Sequence, residues 1–257
     1  MAAETAVITG ASSGIGCELA KVFAQHGHPV VLVARSTDKL EQLAQELRST
    51  FRVQALVLAA DLTQSTAPER IAEDLRARKV NVDILVNNAG FAARGRFSDL
   101  DMQRQLDMIQ VNVAAVAHLT RLFLPAMIER NLGGVLNVAS IAAFLPGPLM
   151  AMYYASKAFV LSFTEALHEE VAGTNVHVCC LCPGPTSTGF AETAGAQDTV
   201  LFKFGADRAD AVARFGYNAL QKNEAVAIPG AKNKAGVIAG RFASRGMQRK
   251  IAMTFNR

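Results

Sequence analysis

Seven short, predominantly apolar runs, each followed by a stretch long enough for a helix, constrain this chain more than any other feature. They lie at residues 6–9, 30–34, 55–59, 84–86, 135–138, 176–181 and 225–228. Rich in Val, Ile and Leu and lacking polar alternation, they read as strands covered on both faces. The stretches between them are amphipathic; residues 39–47, for example, put Leu40, Leu43 and Leu47 on one stripe. Strand and helix in alternation imply an α/β fold, a parallel sheet with helices on both faces.

With 257 residues, 51% hydrophobic and 19% charged, the chain can bury a full core. That composition excludes disorder, collagen-like repeats and a coiled coil as descriptions of the whole. No internal repeat or Pro/Ser-rich linker divides it, so residues 1–257 read as a single domain. The long irregular stretch 183–207, rich in Gly, Thr and Ala, predicts a flexible substrate loop near 185–207. The formal charge of +4 is unevenly spread: residues 230–257 carry Lys232, Lys234, Arg241, Arg245, Arg249, Lys250 and Arg257 with no acid. Without those seven the chain has 19 basic against 22 acidic residues. The basic character belongs to a tail, which argues against a nucleic-acid-binding body. Cys179, Cys180 and Cys182 sit in an apolar run without metal-ligand spacing and read as small buried hydrophobes of a reducing compartment. No secretory signal and no uninterrupted apolar stretch of ~18 residues is visible, so the expectation is a cytoplasmic protein without a membrane span.

The first strand runs into Thr9-Gly10-Ala11-Ser12-Ser13-Gly14-Ile15-Gly16 and then a helix. Gly10 permits a tight exit from the strand, Gly14 lets backbone approach a pyrophosphate, and Gly16 lets the helix pack against the sheet. The helix start supplies unpaired N–H groups and the positive end of a dipole. This is a dinucleotide cradle. At the end of the second strand, where an NAD enzyme places an Asp or Glu for the ribose 2′-hydroxyl, the chain has Arg35, whose planar fork suits a 2′-phosphate. NADP is therefore the expected cofactor. Asp38 lies further on, in the first turn of the next helix.

Tyr153 and Lys157 stand one helical turn apart. A tyrosine near pKa ~10 is a poor acid-base group at neutral pH. A Lys ammonium ~4 Å away favours the phenolate by about 4 kcal/mol at an effective dielectric of ~20, roughly 3 pK units. Ser140 closes the fifth strand, at the sheet edge where ligands of open α/β sheets bind, and can donate to a developing alkoxide.

The chain resembles the short-chain dehydrogenase/reductase family, in its compact single-domain branch. The resemblance runs from Thr5 to about Ile228 and rests on five motifs in order: the Thr9–Gly16 turn, Asn87-Asn88-Ala89-Gly90, Val111-Asn112-Val113, Ser140 with Tyr153 and Lys157, and Pro183-Gly184-Pro185-Thr186-Ser187-Thr188. It implies a Rossmann-like doubly wound sheet of about seven strands in the order 3-2-1-4-5-6-7. It implies that Tyr153 is the acid-base, that Ser140 orients the carbonyl, and that Lys157 tunes Tyr153 and binds ribose. Asn112 is implied to help hold a water relay. The cofactor residues it implies are Gly10, Ser12, Ser13, Gly14, Ile15, Gly16, Arg35, Asp61, Leu62, Asn88, Ala89, Gly90, Tyr153, Lys157, Pro183, Gly184, and Thr186 or Thr188. Plainer roles compete at three positions: Asn112 satisfying backbone groups, Asp61 capping a turn, and Asn87 serving structure. The function implied is NADP-dependent interconversion of a carbonyl and an alcohol. The rivals are a catalytically silent NADP-binding scaffold, disfavoured because Tyr153 and Lys157 are both present, and a sugar-nucleotide epimerase of the extended branch.

Ile141, Phe144, Leu145, Met150, Met152, Phe190, Phe202 and Phe204 suggest an apolar pocket and an uncharged or lipid-like substrate. Arg94 and Arg96 read as surface cations that could instead meet an acidic group. The basic tail 230–257 has three readings: a cover for the active-site mouth or a subunit partner, a peripheral membrane contact, or a frayed end; Gly236, Gly240 and Gly246 weaken any long helix. A helix beginning near Met108 and the Tyr153 helix are apolar around much of their circumference. They predict a homodimer or homotetramer.

Overall fold

The computed structural model describes residues 4–195, 199 and 205–256. All seven apolar runs are strands of one sheet: β1 (Ala6–Thr9), β2 (Val30–Ala34), β3 (Ala55–Ala59), β4 (Ile84–Asn87), β5 (Gly133–Val138), β6 (Val176–Leu181) and β9 (Val226–Ala227). Every pairing in it is parallel, in the order β3-β2-β1-β4-β5-β6-β9. This is the expected Rossmann-like order, since β9 is the seventh strand of the sheet. Ala6 pairs with Val30 on one side and Ile84 on the other, so the winding reverses between β1 and β4. Ligands of such sheets bind beyond the carboxyl ends of the strands at that reversal.

The strands need no polar alternation because both faces are covered. Ile8 and Leu32 pack with Leu19 and Phe23 of α1 (Gly14–Gln25) and Leu40, Leu43 and Leu47 of α2 (Thr37–Phe51). Val212 and Leu220 of α8 (Ala209–Gln221) complete that layer. Val7 and Leu85 face the other way, onto Ile71 and Leu75 of α3 (Ala67–Ala77) and Leu119 and Met127 of α5 (Ala115–Arg130). Cys179 joins the first layer, while Cys180 and Cys182 lie in a separate buried cluster, as free thiols.

Three elements differ from the sequence reading. The helix placed near Met108 begins six residues earlier: α4 (Met102–Ile109) is capped by Asp101, whose carboxylate accepts from the Arg104 amide at 2.8 Å. It runs through a π-helical turn, Gln110–Ala114, into α5. The continuous run Met102–Arg130 is long and apolar enough to cross a membrane by length and composition, and half of its most apolar window is buried inside the protein. Second, stretch 183–207 is not simply irregular. It contains α7 (Phe190–Ala194) and a small parallel pair, β7 (Thr186–Ser187) with β8 (Asp207–Arg208). Phe202 and Phe204 lie outside the described residues. Third, the tail forms α9 (Ala231–Phe242) and α10 (Arg245–Phe255).

Candidate active site

A cavity of about 1620 Å³ follows the carboxyl ends of the strands. Strand order arranges its lining. Gly10, Ser12, Ser13, Gly14 and Ile15 follow β1. Arg35 follows β2, and Asp61 and Leu62 follow β3, on one side of β1. Asn88, Ala89 and Gly90 follow β4, Ser140 follows β5, and Pro183, Gly184, Thr186 and Thr188 follow β6, on the other side. Tyr153 and Lys157 enter from α6 (Ala151–Glu170). Among the named site residues, Gly16 and Asn112 lie behind this wall.

The turn after β1 is shaped for backbone to meet an anion. Gly14 has φ +57, and a Cβ there would stand 3.0 Å from the Thr188 methyl. At Gly16 a Cβ would come within 2.3 Å of both the Gly10 carbonyl and Asn88 Nδ2, so α1 can pack here only through glycine. Ser13 caps α1 without a side-chain hydrogen bond, and the first turn carries no acid. The N–H groups and the positive dipole end are thus left to a ligand. A helix start whose N–H groups are left free, with Arg35 bordering the same cavity, fits a phosphorylated dinucleotide. Lys39, which the sequence reading passed over, borders the cavity one turn into α2, while Asp38 does not. Asp61 caps a turn, accepting from the Thr63 amide at 3.0 Å, and also lines the cavity.

Asn88 ties two strand ends together. Its Nδ2 donates to the Thr9 carbonyl at 2.9 Å, and its own amide and that of Ala89 donate to Thr9 Oγ1, each at 3.0 Å. Thr9, which sequence reasoning gave no role, is the hinge of this joint. Asn87 is structural: its Nδ2 donates to Thr120 Oγ1 and Asn137 Oδ1 in the core. The Asn112 amide is fully engaged in fixing the loop after Gly90, accepting from the Phe91 amide at 3.1 Å and donating to the Phe91 carbonyl at 3.0 Å and Ser156 Oγ at 3.1 Å. The π-helical turn around it is the kind of local distortion that accompanies functional sites.

Ser140, Tyr153 and Lys157 come together. Ser140 Oγ accepts from the Ala142 amide at 3.1 Å and donates to the Pro183 carbonyl at 3.4 Å, which fixes the hydroxyl in place. Burial pushes the Tyr153 phenol well above its usual value, and a hydrogen bond with Ser140 draws it partly back. Lys157 lies one helical turn beyond Tyr153 on α6. Its ammonium donates to the Val138 carbonyl at 2.7 Å and stands 5.9 Å from the Tyr153 ring centre. Only 5% of Lys157 is exposed. Burial lowers its pKa to about 8, with Cys180 and Cys182 pulling the other way.

Ile141, Phe144, Leu145, Met150 and Phe190 line the cavity as expected; Met152 does not, and packs beside it instead. The tail closes the cavity with Val237, Met247, Ile251 and Phe255. Asn256, 1% exposed, fastens the tail down. It accepts from the Tyr154 hydroxyl at 3.0 Å and donates to the Pro148 carbonyl at 2.9 Å, while its carbonyl accepts from Arg94 Nε at 2.7 Å. Arg94 thus holds a backbone carbonyl of the tail. The mixture of apolar residues and cations signalled a cover here; nothing in it singled out Asn256.

The sequence profile described as short chain dehydrogenase matches residues 4–199. Over 194 residues the chain is 37% identical to the very-long-chain 3-oxoacyl-CoA reductase of Homo sapiens, a match covering 74% of this chain and 61% of the relative. It thus spans less than two thirds of the human relative's length. A short-chain dehydrogenase from Sphingobium yanoikuyae, solved in complex with NADPH, superposes with a TM-score of 0.84 at 31% identity, covering 95% of this chain and 94% of that one. A short-chain dehydrogenase/reductase from Burkholderia phymatum, solved in complex with NAD, superposes with a TM-score of 0.84 at 29% identity, covering 96% and 95%.

Proposed function

The chain belongs to the short-chain dehydrogenase family, and from that premise we propose that it is an NADP-dependent oxidoreductase that interconverts a carbonyl and an alcohol, acting as a reductase on an apolar, lipid-like substrate. The observation that carries this reading is one cavity bordered by both the glycine turn with Arg35 and the Ser140, Tyr153 and Lys157 cluster. A bound reduced nicotinamide supplies hydride to the carbonyl carbon. The Ser140 hydroxyl would turn from its long bond to the Pro183 carbonyl to donate to the substrate carbonyl oxygen, and Tyr153 would give that oxygen its proton as negative charge develops. A buried phenol that keeps its proton suits the reducing direction. Lys157 would hold the cofactor ribose, and Asn112 would position the loop after Gly90 from behind.

Solved relatives of equal likeness were found with NADPH and with NAD. The family therefore leaves the 2′-phosphate to the residues after β2, where Arg35 supplies the fork and Lys39 a second cation. The apolar lining and a relative named for very-long-chain 3-oxoacyl-CoA support a fatty-acyl type of substrate. The same reading includes a homodimer or homotetramer built through α5 and α6. Paired titrations with NADPH and NADH test the cofactor choice. Arg35→Ala should weaken NADPH binding roughly 10- to 100-fold, the worth of a charge-assisted hydrogen bond, and leave NADH unchanged. Equal binding of both cofactors by the wild type, unchanged in Arg35→Ala, would falsify it.

A further inference from the structure

Helix α9 has two faces. Val237 is buried, and Asn233, Gly236 and Gly240 line the cavity. On the opposite face Lys234, Ile238, Arg241 and Phe242 follow at i, i+4, i+7 and i+8, all exposed and none lining the cavity. Ile238 is 47% exposed and Phe242 is 87% exposed, the highest value among the large exposed hydrophobic residues described. Phe242 ends α9, and Ser244 already caps α10, so this ring stands at the corner between the two helices, with Arg241 and Arg245 on either side of it in the sequence. On α10, Met247, Ile251 and Phe255 form a second apolar stripe, each more than a third exposed, which also lines the cavity.

Charge marks the same corner. Residues 230–256 contain six Lys and Arg and no Asp or Glu. Among the described residues none of Lys234, Arg241, Arg245, Arg249 and Lys250 forms a salt bridge. A large apolar side chain flanked by cations without an acidic partner is the pattern of a helix that lies in a lipid interface, with the ring among the acyl chains and the cations at the head groups. We propose that the α9–α10 corner docks on an anionic lipid bilayer through Ile238 and Phe242, with Lys234, Arg241 and Arg245 supplying the neighbouring positive charge. The remainder of the chain, with more acids than bases, is repelled by such a surface, so the field orients the molecule with this corner first. A second copy of the chain is a poor occupant, because a two-fold contact would bring these cations onto their own copies. An acidic protein would satisfy the charges but has no need of a protruding ring. Docked this way, the cavity wall formed by α9 and α10 adjoins the bilayer, a short route for an apolar substrate.

The test is co-sedimentation of the full chain with vesicles of phosphatidylcholine alone and with phosphatidylserine added. The wild type should bind only the anionic vesicles, and added salt should weaken binding. Ile238→Ser with Phe242→Ser should reduce partitioning at least about ten-fold. Lys234→Ala with Arg241→Ala should reduce it roughly 25-fold, about five-fold per cation. All four positions are exposed, so the thermal unfolding midpoint should not move. Absence of binding to anionic vesicles at low salt overturns the proposal without any variant. So does binding that the Ser pair leaves intact. If the Ser pair instead converts an oligomer to monomer while vesicles go unbound, the face is a self-interface and the proposal fails.

Discussion

Tyr153 and Lys157 illustrate how, at the scale of single residues, burial works against the charged form of either group. The phenol is driven up and keeps its proton, while the ammonium is driven down to about 8 and sheds its proton more readily. Lys157 is the group whose titration falls within the working range. Below that value it is a cation able to hold ribose hydroxyls; above it the cation is lost. NADPH-dependent carbonyl reduction should therefore show a kcat/KM that declines as pH rises through about 8, since this ratio reports groups of the free enzyme. A kcat/KM that stays flat well into the alkaline range would show that Lys157 keeps its proton or is not needed. Spacing made this trio legible, because Tyr-x-x-x-Lys and a Ser at a strand end are one-dimensional patterns. It could not reveal that Lys157 leans on the Val138 carbonyl. Nor could it reveal that Thr9 and Asn256 are joints, since both bond to groups far away in sequence, up to 162 residues for Asn256.

At the scale of elements, the β1–α1 unit carries the greatest constraint. Gly16→Ala would place a methyl 2.3 Å from the Gly10 carbonyl and Asn88 Nδ2. Neither can retreat without breaking the tie between β1 and β4. Overpacking of this kind costs ~1–3 kcal/mol, so Gly16→Ala should lower the unfolding midpoint by several degrees and abolish NADPH binding by distorting the turn. A variant that melts and titrates like the wild type would show that the turn is not the cradle. The strands were readable because burial on both faces leaves a predominantly apolar run. Two kinds of element were not. The first turn of α4, with Gln103, Arg104 and Gln105, is too polar to show an apolar stripe, so only the Asp101 cap marks its start. The pair β7–β8 is two residues long in each strand, Thr186-Ser187 and Asp207-Arg208, and has no apolar signature at all.

The whole molecule brings the tail, the oligomer surface and the reaction together. One face of the tail lines the cavity, with the segment broken into two helices at 243–244 and Asn256 pinned beside Tyr154, and the opposite face of α9 is left to the proposed lipid contact. The apolar surplus on α6 shows as Phe159 and Phe163, stacked at 5.5 Å with Phe159 exposed. If they form the proposed two-fold contact, light scattering at micromolar concentration should give a dimer or tetramer that Phe159→Glu with Phe163→Glu converts to monomers. A wild type that scatters as a fully active monomer would contradict it. The central claim is that one cavity joins a dinucleotide cradle to a tyrosine proton donor. Carbonyl-dependent oxidation of NADPH by wild type and Tyr153→Phe, with NADPH affinity measured on both, tests it most directly. The ring serves packing and the hydroxyl serves chemistry, so Tyr153→Phe should bind NADPH as the wild type does and lose turnover by roughly 100- to 10,000-fold; a Tyr153→Phe protein that turns over like the wild type would contradict the account.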